Sequence, residues 1–148
     1  MENMNLHLEQ IDFRGNNSVG GILYMTIGTG FFPEERWYDM VSSDLDNWMP
    51  RLVSFAQAHT DSCVLPFMDG PCEARLAREA GGAVRVSCFW SAKAVIPPTE
   101  IDFRQFLDSV VKCVRQYDRV LYENGLECRF QRETGLLREI ATSLRSSQ

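Results

Sequence analysis

The sequence has few of the residues on which enzymatic and metal chemistry most often depend. Only two histidines occur in 148 residues, and the five cysteines are scattered without a Cys-x-x-Cys pair. Neither a zinc site nor a disulfide framework is predicted, and buried, reduced thiols are the simplest interpretation. The Gly28-Thr29-Gly30 stretch lacks the further glycine and helix start of a dinucleotide-binding loop. We therefore expect no cofactor and no bound metal.

Long hydrophobic runs are also absent. No apolar stretch approaches the roughly 18 residues needed to cross a bilayer. The first ten residues have neither the basic region nor the apolar core of a secretory signal. We expect a cytoplasmic protein that does not contact a membrane. A hydrophobic content of 45% over this length indicates one folded domain spanning residues 1–148.

The strongest periodic pattern predicts a long helix at Asp102–Glu123. Apolar residues recur there at steps of three and four, so that one side of the helix is apolar and the other is charged. Asp102 followed by Gln105 is typical of a helix N-cap, and Gly125 stands where a helix commonly ends. Such a helix requires a sheet or another helix against its apolar side.

Weaker patterns predict the rest of an α+β fold. A helix is expected at about Asp44–His59, where Pro50 requires either a start near Asp46 or a kink. A terminal helix is expected at Arg129–Leu144. Five strands are predicted, at 6–13, 21–29, 63–68, 72–78 and 83–90. The Pro97-Pro98 pair limits 91–98 to a loop or an irregular edge. The predicted fold is a single antiparallel sheet of about five strands with two or three helices mainly on one face.

The net charge of −5 is unevenly distributed along the chain. Residues 1–70 contain ten acidic and three basic side chains, a balance of −7, and residues 71–148 contain ten and twelve, a balance of +2. The densest acidic stretch, Glu34–Asp46, has five carboxylates against Arg36. This sign disfavours nucleic-acid binding and favours the capture of a basic protein. The alternative is an ordinary solvated surface.

Aromatic residues lie among these carboxylates. Core packing is the default for each of Trp37, Tyr38 and Trp48, but Trp37 lies in a connecting segment and is also a candidate interface residue with an acidic rim. A catalytic Cys–His pair using His7 or His59 stays open as an alternative, but nothing in the sequence places a cysteine beside either one. Asp44 and Asp46 lack the pattern of a calcium-binding loop.

Three stretches occur in a recognisable order. Phe32-Pro33 and Trp37-Tyr38-Asp39 precede a helix containing Trp48, Phe67-Met68-Asp69-Gly70-Pro71 follows, and Phe103 with Phe106-Leu107 opens the long helix. This order, over about residues 20–125, resembles small bacterial immunity proteins encoded beside polymorphic or contact-dependent toxins. The resemblance rests on structural motifs. It implies a cytoplasmic, non-enzymatic protein that binds one cognate toxin domain and blocks it.

The resemblance and the charge together lead to a hypothesis about the binding surface. A basic, nuclease-type toxin domain has a cleft that attracts phosphates, and an acidic inhibitor would suit it. The predicted partner-binding residues are Glu34, Glu35, Trp37, Asp39, Asp44, Asp46 and Asp69. Two other classes stay open: a secretion chaperone or adaptor, and a small cysteine- or carboxylate-dependent enzyme.

Overall fold

The computed structural model describes residues 1–16 and 18–146 and has the predicted α+β class. Within that part of the chain lie eight strands and three helices. In chain order they are β1 Met4–Phe13, β2 Val19–Ile27, β3 Gly30–Phe32, β4 Tyr38–Asp39, α1 Val41–Ala56, β5 Ser62–Phe67, β6 Cys72–Arg78, β7 Val84–Trp90, β8 Lys93–Ile101, α2 Phe103–Glu123 and α3 Gln131–Ser146.

The strands form two antiparallel sheets of four strands each, so the prediction of a single sheet was wrong. In the first sheet β1 pairs with one edge of β2. The short strands β3 and β4 both pair with the other edge, β3 at residues 25–27 of β2 and β4 at residues 21–22. The second sheet has the order β5-β6-β7-β8. A parallel bridge between Glu2 and Ile101 links the ends of β1 and β8. Strand patterns predict where strands lie, but they do not determine which strands pair.

The long helix α2 confirms the strongest prediction from the sequence. The Asp102 carboxylate accepts the Gln105 N–H at 3.1 Å, which caps the first turn. The helix packs along the free edge of β1. There Ser109 Oγ accepts the Leu6 N–H at 2.8 Å, and Cys113 Sγ lies 3.3 Å from the Leu6 carbonyl oxygen. Side chains of α2 therefore satisfy strand groups that no neighbouring strand reaches.

Helix α1 packs against the edge strand β5 of the second sheet. The Trp48 indole N–H donates to the Pro66 carbonyl at 2.5 Å, and the Arg51 guanidinium donates to the Val64 carbonyl at 3.3 Å. The helix begins at Val41, so the predicted start at Asp44 or near Asp46 was wrong. Pro50 lies inside the helix with an exposed side chain.

Helix α3 packs against α2 and α1. Buried Asp118 of α2 positions the start of α3 by accepting the N–H groups of Arg129 at 2.8 Å and Phe130 at 3.0 Å.

In the second sheet, β8 is an edge strand whose register shifts opposite Cys88. The nine-residue β8 was not among the five predicted strands, although an irregular edge at 91–98 was one of the two expectations for this segment.

Candidate partner-binding site

The outer face of the first sheet carries an aromatic cluster. His7 of β1 and Tyr24 of β2 are cross-strand partners whose rings stack at 4.8 Å, and Phe31 of β3 lies 6.1 Å from Tyr24. Tyr38 of β4 pairs with Ile22 two residues earlier on β2, which places it on the same face. We refer to His7, Tyr24, Phe31 and Tyr38 as the aromatic face.

Two of these rings are accessible to a partner. Phe31 is 43% exposed and Tyr38 is 38% exposed, although both are large and apolar enough to favour burial. Tyr24 is almost covered by its neighbours. Partly exposed aromatic rings on a rigid sheet offer contact area at a small cost in side-chain entropy, which is characteristic of binding hot spots.

A glycine determines the position of Tyr38. A Cβ atom added to Gly20 would lie 2.1 Å from the Tyr38 hydroxyl oxygen, so the ring occupies the space that a side chain would fill. The Arg14 guanidinium carbon lies 5.2 Å from the centre of the same ring, and Arg14 also donates a hydrogen bond to the hydroxyl. Tyr38 is therefore held against the sheet in a defined orientation.

Carboxylates dominate the rim of the aromatic face. Glu9 pairs with Arg36 at 2.5 Å and Asp12 pairs with Arg14 at 3.3 Å. Glu34 and Glu35 follow β3, are exposed, and form no salt bridge with any described residue. Glu35 acts electrostatically on Tyr24 of the aromatic face, whereas Glu34 acts on Cys72 of β6. Three carboxylates thus stand against two guanidinium groups at the rim, and Glu35, together with the neighbouring Glu34, is available to a basic partner.

Burial affects the two titratable rings at the centre. It lowers the pKa of His7 below its usual 6.5, with Glu9 acting in the opposite direction. Burial also raises the pKa of Tyr24, and Glu9 adds to that effect. Both rings are therefore neutral near pH 7, and the charge of this surface comes from its rim.

The seven residues predicted from the sequence occupy different environments. Glu35 lies on the rim, and Glu34 precedes it in the same exposed segment. Trp37 is half-buried, with its ring edge-on to Trp90 of β7 at 5.5 Å and its indole N–H 2.7 Å from Asp39 Oδ2. The Trp37 ring thus connects the segment before β4 to the second sheet, and part of the ring stays exposed.

Asp39 and Asp44 have no exposed surface, so the prediction that they belong to an exposed acidic patch was wrong. Asp39 accepts N–H groups from Met40 at 2.8 Å, Met68 at 3.2 Å and Asp69 at 3.3 Å. Asp44 accepts the Met68 N–H at 3.0 Å. The two carboxyl groups hold the turn between β5 and β6 against the start of α1.

The buried carboxyl group of Asp44 is protonated near neutral pH. Burial, followed by the side-chain hydrogen bond with Asp39, raises its pKa from 3.8 to about 9. Its Oδ2 atom has no N–H donor among the described residues. A proton on Asp44 can instead be donated to Asp39, whose own oxygens accept N–H groups.

Asp46 and Asp69 are exposed but are not grouped with the rim. Asp46 forms a 2.6 Å salt bridge with Arg129, between α1 and the segment before α3. Asp69 lies in the turn between β5 and β6, where its backbone is bound by Asp39. The sequence prediction therefore combined three separate locations into one surface.

Four of the five cysteines offer little thiolate in the folded protein. Burial raises the pKa of Cys63, Cys72, Cys88 and Cys113 to about 12, so these thiols are protonated near neutrality. Cys128 is half-buried. Within residues 1–16 and 18–146, no group of three or more His, Cys, Asp or Glu side chains is arranged to hold a metal ion.

Comparison with protein-family models, curated proteins and solved structures gives no match for this chain. In the described part of the chain, none of the helices combines the length and apolarity required to span a bilayer.

Proposed function

We propose that this protein is an immunity protein, which binds a basic toxin domain in the cytoplasm through the aromatic face and thereby blocks it. The observation that carries the proposal is that two exposed rings, Phe31 and Tyr38, occur together with two exposed carboxylates, Glu34 and Glu35, that form no salt bridge. The sequence resemblance to immunity proteins supplies the class of partner, and the surface supplies the means of binding it.

The centre and the rim have different tasks in this proposal. Burying Phe31 and Tyr38 under a partner would provide most of the affinity, and hot-spot residues of this kind cost about 2 kcal/mol or more when truncated. Glu34 and Glu35 would mainly accelerate the encounter with a positively charged partner. A toxin whose active site attracts phosphates has a positively charged surface to offer.

The direct test is co-expression with the reading frame next to this gene, measuring growth and co-purification together. Immunity predicts that growth is restored and that the two proteins form a stable complex. A complex without restored growth would favour a chaperone or adaptor. Restored growth without a complex would favour enzymatic protection and would contradict the proposed binding mechanism.

A further inference from the structure

A second charged surface, of the opposite sign, lies on the helical layer. A groove of about 440 Å³ runs between α2 and α3. Its cationic side chains are Lys112, Arg115 and Arg119 of α2 and Arg138 of α3. We refer to these four residues as the basic groove.

None of the four cations has an anionic partner among the described residues. The carboxylate at one end of the groove, Asp108, is already bonded to Arg104 at 3.4 Å and Arg145 at 3.1 Å. Like charges three and four residues apart on a helix repel one another. The arrangement of Lys112, Arg115 and Arg119 is therefore unfavourable in the free protein and would be relieved by an anion.

The groove extends to an exposed aromatic ring. A second cleft of about 440 Å³ shares Arg115 and Arg119 with the first and is also lined by Tyr122. Tyr122 is 73% exposed. At a rise of 1.5 Å per residue, Lys112 and Tyr122 stand about 15 Å apart along the helix. The surface thus offers a row of cations that ends in an aromatic contact.

We propose that the basic groove binds an acidic helical segment of a partner protein. Spacings of three and four residues on α2 match those of carboxylates along one side of a second helix. Guanidinium groups bind carboxylates in paired hydrogen bonds, and arginine and tyrosine are enriched at protein-binding hot spots. A shallow channel between two helices accommodates a third helix.

Nucleic acid fits this surface less well than an acidic helix does. The protein carries a net charge of −5, and its sheet surface has an acidic rim, so a long polyanion would meet repulsion away from the groove. Among the residues that the structure describes, Tyr122 is the one aromatic ring lining the two clefts, whereas single-stranded nucleic acid is commonly bound by several stacking rings.

The basic groove is separate from the aromatic face. The groove lies on α2 and α3, whereas the aromatic face lies on the outside of the first sheet, which α2 contacts along the free edge of β1. The two surfaces can therefore be tested independently. An acidic segment in the groove would add a second partner, or a second contact with the same partner, to the proposed toxin binding.

The test uses a labelled, alanine-based helical peptide with glutamates spaced three and four residues apart and a leucine three residues beyond the last. Its binding to the whole protein is followed by fluorescence polarisation at two salt concentrations. We expect binding that weakens as salt rises. Replacing Lys112, Arg115 and Arg119 together by alanine should weaken binding by roughly tenfold or more, because three exposed ion pairs with the peptide would be lost together.

The controls separate this interaction from general electrostatic attraction. Arg132→Ala removes a cation from α3 outside the two clefts and should leave binding within about twofold of the original value. Alanine favours helix, so the triple variant should keep its circular dichroism spectrum. No binding of the glutamate peptide, equal binding of a glutamine version, or tighter binding of a single-stranded oligonucleotide through the same residues would overturn the proposal.

Discussion

Asp39 and Asp44 accept the same backbone N–H group, that of Met68, at 3.2 and 3.0 Å. This shared donor brings together β4, the first turn of α1 and the turn after β5. It also divides the acidic segment Glu34–Asp46 into parts with different tasks. Asp39 and Asp44 organise the fold, whereas Glu34 and Glu35 stay exposed for a partner.

The protonation of Asp44 has a measurable consequence for stability. Because its folded-state pKa of about 9 exceeds its ordinary value of 3.8, the unfolded chain releases this proton first as pH rises. The contribution of Asp44 to the free energy of unfolding is therefore complete below about pH 4 and is lost progressively toward pH 9. The slope is at most about 1.4 kcal/mol per pH unit.

Asp44→Asn should remove this slope, since the amide does not titrate and its NH2 group can donate to Asp39 as the protonated carboxyl does. We expect the variant to match or exceed the original stability at pH 8 in urea titrations. Asp39→Asn is the matched comparison, because it places an amide NH2 among N–H donors and should be destabilising by about 1–3 kcal/mol. Equal effects of the two substitutions would contradict the assignment of the proton to Asp44.

Gly20→Ala should disturb the aromatic face without unfolding the sheet. The new methyl group would meet the Tyr38 hydroxyl at 2.1 Å, and the ring would have to swing away from β2. We expect weaker binding to the co-purifying partner, measured by calorimetry, with a melting temperature close to the original. Gly81→Ala is the control, because its methyl group meets no atom within 4 Å. Unchanged affinity for Gly20→Ala would argue that Tyr38 makes no contact.

Reversing Glu34 and Glu35 to lysine should slow association with the partner and reduce its dependence on salt. The rim carboxylates act over several ångströms, so the effect should appear in the association rate more than in the dissociation rate. Glu123→Lys with Glu139→Lys makes the same change in net charge on the helical layer. If both double variants slowed association equally, the effect would belong to net charge and not to the rim.

Asp118→Ala should loosen the start of α3. The substitution leaves the buried N–H of Phe130 and the N–H of Arg129 without their acceptor, a loss of about 1–3 kcal/mol. Hydrogen exchange at these two amides should accelerate more than exchange within β6. Glu123→Ala, at an exposed position of the same helix, should change neither quantity.

Much of the local structure was predictable because it is encoded over a few neighbouring residues. Periodicity and the Asp102 cap located α2, and alternation located β6 at Cys72–Arg78. The pairing of strands was not encoded locally. α1 separates the first four strands from the last four, and the choice between one sheet and two depends on contacts between distant residues.

The binding surface was only partly predictable for a related reason. The acidic composition predicted Glu34 and Glu35 as binding residues, but it could not predict that these two are exposed whereas Asp39 and Asp44 are buried. His7, Tyr24 and Phe31 were missed because they occur in three different strands. The sequence pattern that could have identified them is alternation along a strand. Each ring is next in sequence to a buried core residue, Leu6, Leu23 or Phe32, and so points to the opposite face of the sheet.

The measurement that tests the central claim most directly is growth rescue by the original protein and by a Phe31→Ala, Tyr38→Ala double variant, each co-expressed with the neighbouring reading frame. The original protein should restore growth and co-purify with the partner. The double variant should be folded and soluble, yet should lose both properties. Full rescue by the folded double variant would contradict binding through the aromatic face.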